Sequence, residues 1–137
     1  MQTKNIGLRN IEVADTKISA IDGINGKLIY RGYDVLDLVK KSNFEETTCL
    51  LLNEDLPTQD VLSSFSESLI AAREIPEGLE KTLKNIPRNA TPMDMLQSTV
   101  SLMAVYDKAK IDDRDTNYHR AINLISKIPI IVACWDR

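Results

Sequence analysis

The strongest constraint on the fold is that two predicted helices near the end of the chain carry apolar residues on more than one side. These helices are predicted over residues 92–106 and 116–135. A surface helix of a monomer needs one apolar stripe, and its opposite side is normally polar. Both helices therefore need a covering surface on a second side. In the first helix the positions concerned are Met95, Leu96, Thr99, Val100, Leu102, Met103 and Tyr106.

The ends of these two helices are also marked in the sequence. Thr91 occupies a cap position, and Pro92 follows at the first helical position, where its missing N–H costs nothing. Thr116 is predicted to cap the second helix, which closes in an apolar run over residues 128–135. Pro129 should kink a helix there, and a buried strand is the alternative. We favour a helix, because only the small hairpin described next offers a partner strand.

A β-hairpin is predicted over residues 16–32. Apolar residues alternate on both sides of the turn formers Asp22-Gly23 and Asn25-Gly26, which favour positive φ. Residues 23–27 also resemble a phosphate-binding loop, but Leu28 stands where that loop needs a serine or threonine for magnesium. We therefore interpret this stretch as a hairpin turn.

Helices are predicted between the hairpin and the two helices described above. Asp34 is predicted to cap the first of them, and Ser42 and Glu45 have the spacing of a capping box for the second. The helical spacing of apolar residues predicts two more. One restarts at Pro57-Thr58, carries an apolar stripe from Val61 to Ala72 and is ended by Pro76, and the other covers residues 77–85. We expect a mainly α chain with one small hairpin.

The composition excludes several classes of protein. The 137 residues fit one compact domain, and the net charge of -3 leaves no basic face for nucleic acid. No apolar run approaches the roughly 20 residues that span a bilayer, and the N-terminus lacks a signal peptide's apolar core. We expect a cytoplasmic protein. Cys49 and Cys134 lie far apart in apolar segments, and we predict reduced thiols that pack in the core.

Few residues are available for catalysis. The chain has a single histidine, His119, which is predicted to lie exposed near the start of a helix. One histidine and two distant cysteines cannot hold zinc. Asp112, Asp113 and Asp115 lack the glycine and the closing glutamate of a calcium loop, so we interpret them as part of a solvated connector. We assign no catalytic, cofactor-binding or metal-binding residue.

Three blocks of the sequence form an ordered pattern that reaches over nearly the whole chain. The opening block comprises Gly7-Leu8, Thr16-Lys17-Ile18-Ser19, Ile21-Asp22-Gly23, Gly26-Lys27-Leu28 and Tyr30-Arg31-Gly32-Tyr33; the middle block is residues 86–93; the closing block is Lys127-Ile128-Pro129 with residues 133–137. This pattern resembles the N-terminal part of citrate synthases, especially the shorter bacterial and archaeal type. Family members often have histidine at the position of Thr91.

The resemblance implies the multi-helix N-terminal part of the citrate synthase large domain, with an arm and hairpin over residues 1–33 and helices over residues 34–137. It implies a reaction that joins the acetyl group of acetyl-CoA to oxaloacetate and releases citrate and CoA. The 2-methylcitrate synthases share these blocks. In the family the catalytic histidines and aspartate come later in the chain. We therefore expect this chain alone to bind no cofactor and to be inactive.

The resemblance also accounts for the two helices with apolar residues on more than one side, because the corresponding helices of citrate synthases build much of a dimer interface. Leaving seven large apolar side chains in water would forgo on the order of 10 kcal/mol. We expect a homodimer or association with the rest of a citrate synthase. The predicted interface residues are Met95, Leu96, Thr99, Val100, Leu102, Met103, Tyr106, Ile122, Ile125, Ile128, Ile131, Val132 and Trp135.

Two hypotheses follow for the chain as a whole. It stops after Asp136-Arg137 without a capping signal, which favours a portion of a longer synthase. The alternative is a stand-alone helical interaction protein derived from the same fold. A distinct small enzyme using Asp34 and Asp37 is disfavoured, because the start of a helix explains these carboxylates better.

Overall fold

The computed structural model describes residues 14–109 and 111–136. The chain divides into two compact units, residues 1–57 and residues 58–137. The boundary predicted after residue 33 lies inside the first unit. The length of the chain predicts one compact domain. Length cannot locate a boundary between units, because it does not show which segments contact one another.

The first unit begins with a three-stranded antiparallel sheet in the order β1-β2-β3. Strands β1 (Ser19–Asp22) and β2 (Lys27–Tyr30) form the predicted hairpin. The Asp22 carboxylate accepts hydrogen bonds from the backbone N–H groups that follow it, at 3.1 and 3.0 Å, which fixes the turn. The sequence did not predict β3 (Tyr33–Asp34), because two residues are too few to show alternation.

Two helices complete the first unit. Helix α1 is Val35–Lys41, and the Asp34 side chain caps it as predicted, accepting from the backbone N–H of Leu36 at 2.8 Å. Helix α2 is Phe44–Asn53. Among the residues of this unit that the structure describes, the buried apolar side chains are Leu38, Cys49 and Leu50.

The cap of α2 differs from the prediction. Asn43, one residue after the predicted Ser42, accepts from the backbone N–H of Glu46 at 2.8 Å. Ser42 instead ends α1, and its hydroxyl lies 3.2 Å from the Thr47 hydroxyl. The capping-box prediction was wrong because serine and asparagine are about equally good caps, and only the path of the chain between the helices selects one.

The second unit is helical. It contains α3 (Gln59–Ala71), α4 (Glu77–Asn85), α5 (Pro92–Met103), a 3₁₀ turn (Ala104–Tyr106) and α6 (Arg114–Asp136). Helix α6 packs against α3, α4 and α5. One core cluster of the unit is formed by Leu79, Leu83, Met95 and Ile131, with Ile75, Ile86, Leu96, Leu102, Met103 and Trp135 packed around it. Phe65, Leu69 and Ile122 are also buried.

The structure confirms the cap of α5 and corrects that of α6. Thr91 accepts from the backbone N–H of Asp94 at 3.2 Å. Helix α6 starts two residues before the predicted cap, Thr116. The Asp113 carboxylate accepts from the backbone N–H of Thr116 at 2.8 Å, and this bond lowers the pKa of Asp113. Aspartate is at least as good a cap as threonine, so the earlier residue takes the position.

The apolar run at the end of the chain is helical, as favoured over the strand alternative, and α6 continues through Pro129. The run is not buried on every side: Ile131 is 0% exposed, whereas Val132 is 45% exposed. Cys134 is also exposed, which corrects the prediction of a core thiol, while Cys49 is buried as predicted. A helix packed along one side leaves the residues of its other side uncovered, whatever their polarity.

The predicted fold class, mainly α with a small N-terminal hairpin, is confirmed for the described ranges. None of the helices there is both long and apolar enough to cross a bilayer. The positions of the predicted helices were accurate to a few residues, and α4 has the bounds that the sequence predicted.

Two methionines of α5 give a matched test of this core. Met95 is 2% exposed and Met93 is 68% exposed. We expect Met95→Ala to lower the free energy of unfolding by about 2–5 kcal/mol, because it leaves a cavity against Leu79 and Ile131. Met93→Ala should change it by no more than about 0.5 kcal/mol. Urea unfolding followed by circular dichroism measures both, and equal losses would contradict the packing described.

Candidate functional site

The thirteen predicted interface residues of α5, the 3₁₀ turn and α6 divide by burial. Met95, Thr99, Ile122 and Ile131 are at most 5% exposed. Their surfaces are covered by the chain's own helices, so they have nothing left to offer a partner. Contact with a partner stays a prediction for the other nine, which are half-buried or exposed: Leu96, Val100, Leu102, Met103, Tyr106, Ile125, Ile128, Val132 and Trp135.

An apolar row lies along one side of α6, formed by Leu124, Ile128 and Val132. These positions are four residues apart, so their side chains lie one above another on the same side of the helix. Leu124 is 37% exposed, Val132 is 45% exposed and Ile128 is half-buried. The sequence prediction omitted Leu124 from the interface, although its spacing to the other two would have identified it.

A cleft of about 1070 Å³ opens in the second unit. It lies between the end of α3, the start of α4, the end of α5, the connector after the 3₁₀ turn, and α6. Its lining is apolar in the main, with charged side chains from the connector and α6. The residues are Ala71, Ala72, Glu74, Pro76, Leu79, Val100, Met103, Ala104, Tyr106, Asp107, Lys108, Ala109, Arg120, Asn123, Leu124 and Lys127.

Lys127 joins α6 to the end of α3 across this cleft. Its Nζ donates to the backbone carbonyl of Ala72 at 2.6 Å and to Oδ1 of Asn123 at 2.6 Å. Burial of the ammonium group lowers the pKa of Lys127, and the charge of Glu74 acts in the opposite direction. No local sequence pattern indicates this contact, because Ala72 and Lys127 are 55 residues apart.

Arg120 holds the connector against α6. Its Nε donates to Asp107 Oδ2 at 2.6 Å, Nη1 donates to Asn117 Oδ1 at 3.0 Å, and Nη2 donates to the carbonyl of Ala109 at 3.2 Å. The pKa of Asp107 is lowered, first by the backbone N–H of Ala109 and then by Arg120. The predicted connector is thus exposed to solvent, as expected. The Arg120 guanidinium group also holds it to α6.

Tyr106 closes the α4 side of the cleft above a glycine. A Cβ built on Gly78 would overlap the hydroxyl group of Tyr106. A larger side chain at this position of α4 therefore requires the Tyr106 side chain to shift.

The described part of the chain offers little for catalysis. His119 is exposed, as predicted, and its ring meets the Tyr118 ring edge-on with the ring centres 6.1 Å apart. No cluster of three histidine, cysteine or acidic residues able to hold a metal ion occurs among the described residues. What this geometry offers is a helical packing surface and an amphipathic cleft.

Comparison with known proteins identifies the family. The family model described as "Citrate synthase, C-terminal domain" matches residues 7–137. The chain therefore belongs to the citrate synthase family. It is similar to the citrate synthase of Haloferax volcanii, with 35% identity over 96% of this chain and 36% of that protein. It is also 32% identical to the 2-methylcitrate synthase of Shewanella oneidensis, over 96% of this chain and 34% of the relative.

Solved structures agree with the sequence comparisons. The crystal structure of citrate synthase from Pyrobaculum aerophilum matches 96% of this chain with a TM-score of 0.87 and 30% identity, and the match covers 35% of that chain. The present chain thus spans about a third of the length of the relatives that it matches.

Asp107 gives a pH test of the connector. Its pKa is below the ordinary value in the folded chain, so its contribution to stability is present above the unfolded pKa, about 3.9, and is lost as the pH falls through the folded pKa. We expect wild type to have a higher Tm than Asp107→Asn near pH 7, and this difference should shrink toward about pH 3. Thermal unfolding of both proteins across this range measures it. A difference that does not change with pH would contradict the assignment.

Proposed function

We propose that this chain is the N-terminal portion of a citrate synthase and that it supplies helical scaffold and part of the dimer interface of that enzyme. The whole enzyme would join the acetyl group of acetyl-CoA to oxaloacetate and release citrate and CoA. The observation that carries the proposal is the agreement of fold with the Pyrobaculum aerophilum enzyme over almost all of this chain but only about a third of that one.

The N-terminal placement rests on the order of the sequence blocks. The block that begins at Gly7 and ends at Tyr33 resembles the opening of citrate synthases, and the hairpin lies within this block. The description of the matching family model names a C-terminal domain. We base the placement on the blocks, because they occur in the same order as in the enzyme.

The proposal places the reacting groups outside this chain. Condensation of a thioester with a ketone needs a general base for the methyl proton and hydrogen-bond donors for the developing oxyanions. The family resemblance implies two histidines and an aspartate for these tasks. This chain has a single histidine, His119, and the resemblance matches it to no catalytic motif of the family. Support for the reaction therefore comes from family membership and not from a site on the chain.

The acyl substrate has a second candidate. The similarity to the Shewanella oneidensis 2-methylcitrate synthase is almost as high as that to the Haloferax volcanii citrate synthase. We name acetyl-CoA as the substrate because several relatives with higher identity than the Shewanella oneidensis protein are citrate synthases. A propionyl thioester is the competing substrate, and parallel assays with both thioesters on the native enzyme decide between them.

The rival proposal is a stand-alone helical interaction protein. The apolar row of Leu124, Ile128 and Val132 is a surface that a binding partner could cover, and a partner is what this rival requires. The intact mass of the native protein separates the two. A mass well above the 15.4 kDa of this chain supports a portion of a longer enzyme, and a mass equal to it supports the rival.

Activity of the chain is the direct test. We expect the purified chain to release no CoA from acetyl-CoA in the presence of oxaloacetate, because the base and the oxyanion donors are assigned elsewhere. A thiol-reactive dye follows CoA release, with the native full-length protein as the positive control. Turnover by the chain alone that an active-site inhibitor suppresses would refute this division of roles.

Association tests the interface. Size-exclusion chromatography with light scattering should show the chain as a dimer or larger species. Val132→Glu should shift it toward monomer, since a buried unpaired carboxylate is costly. The control is Val61→Glu, which changes a valine of α3 that is 48% exposed, against 45% for Val132, and lies outside the predicted interface; it should leave the mass unchanged. A wild-type monomer, or equal effects of both variants, would contradict the predicted interface.

A further inference from the structure

We propose that Lys127 is an acylation site, at which the amine in the cleft takes an acyl group from an acyl thioester of coenzyme A. The proposal rests in part on the proposed function, which brings such a thioester to this protein. Its structural basis is the position of the Lys127 amine, which lies at a cleft open to solvent and is held by neutral acceptors.

The partners of Lys127 distinguish it from other helical lysines. Its Nζ contacts a carbonyl oxygen and an amide oxygen, each at 2.6 Å, and within the described ranges it has no ion pair. Lys41, Lys81 and Lys84 each bind a carboxylate four residues earlier on their own helix, at 3.2, 2.6 and 2.6 Å. A carboxylate partner stabilises the ammonium form, which cannot act as a nucleophile. Neutral acceptors stabilise the ammonium form less than a carboxylate does.

The surroundings of the amine also lower its pKa on balance. Burial lowers the pKa of Lys127 against the opposing charge of Glu74, whereas the Glu80 carboxylate raises the pKa of Lys84. The other titratable groups lining the cleft are Glu74, Tyr106, Asp107, Lys108 and Arg120. Asp107 is bound to Arg120, so that pair contributes little net charge at Lys127. A desolvated lysine with a lowered pKa is the usual form of a nucleophilic lysine.

The transfer is a balanced aminolysis. The neutral Nζ attacks the thioester carbonyl carbon, a nitrogen–carbon bond forms, and the carbon–sulfur bond breaks. The nitrogen loses one proton and the departing thiolate takes one up, so the products are an amide and free CoA with no change of oxidation state. The cleft volume of about 1070 Å³ accommodates a small acyl group.

Acylation would alter the junction between α3 and α6. The amide nitrogen keeps one hydrogen, so it can no longer donate to both Ala72 and Asn123, and the positive charge is lost. Ala72 is the residue that ends α3, where the carbonyl groups have no partner within the helix. The modification therefore leaves one donor for two acceptors, so the contact that holds the end of α3 against α6 competes with the bond to Asn123.

The test incubates the intact chain with acetyl-CoA alone at about pH 8 and follows acetylation of each lysine by peptide mass spectrometry. The neutral fraction of an amine rises about tenfold for each unit by which its pKa falls, and the lower basicity of the nitrogen offsets part of this gain. We expect the initial acetylation rate of Lys127 to be at least about threefold that of Lys84. Lys127→Arg should remove that fast component, and Lys84→Arg should leave it.

The same comparison of the Lys127 and Lys84 acetylation rates in the unfolded chain provides the control. In urea the ratio of the two rates should fall to about one, because both lysines then have similar surroundings. A folded-state ratio of one or less, or a ratio that persists in urea, would overturn the proposal. Oxaloacetate is absent from this experiment, so its outcome does not depend on citrate formation. Failure of the proposed function would appear separately, in the CoA-release assay of the native protein.

Discussion

The second unit depends on the burial of one side of α6 against three other helices. Ile131 is fully buried among Leu79, Leu83 and Met95, and Ile122, nearer the start of the same helix, is also buried. Isolated helices have little stability in water, so most of their stability in a protein comes from such packing. The positions of the apolar row, the cleft and Lys127 all follow from which side of α6 faces the core.

The same packing limits what the helices can offer to other proteins. Met95 and Thr99 of α5 are covered within this chain, so the surface available for a partner is narrower than the apolar pattern suggests. What remains apolar and accessible includes the row that contains Leu124 and Val132. Membership of the citrate synthase family makes association through such a surface a reasonable proposal, since the chain spans only about a third of its relatives.

Much of the secondary structure could be predicted from the sequence, because its signals are local. The hairpin follows from its turn residues, α4 from its apolar spacing, and the start of α5 from Thr91. Cap predictions were wrong where two nearby residues can both cap the same helix, as when Asn43 caps α2 in place of Ser42. Cys134 was placed in the core because an apolar run does not show which side of a helix is covered.

The sequence by itself determined that the chain is mainly helical, that it contains one histidine, and which residues begin most of its helices. These properties depend on residues within a few positions of one another. Only the tertiary structure decided that Met95 is buried while Met93 is exposed, and that Lys127 meets the end of α3. Such contacts join segments far apart in the chain, and they depend on how whole helices pack rather than on any local pattern.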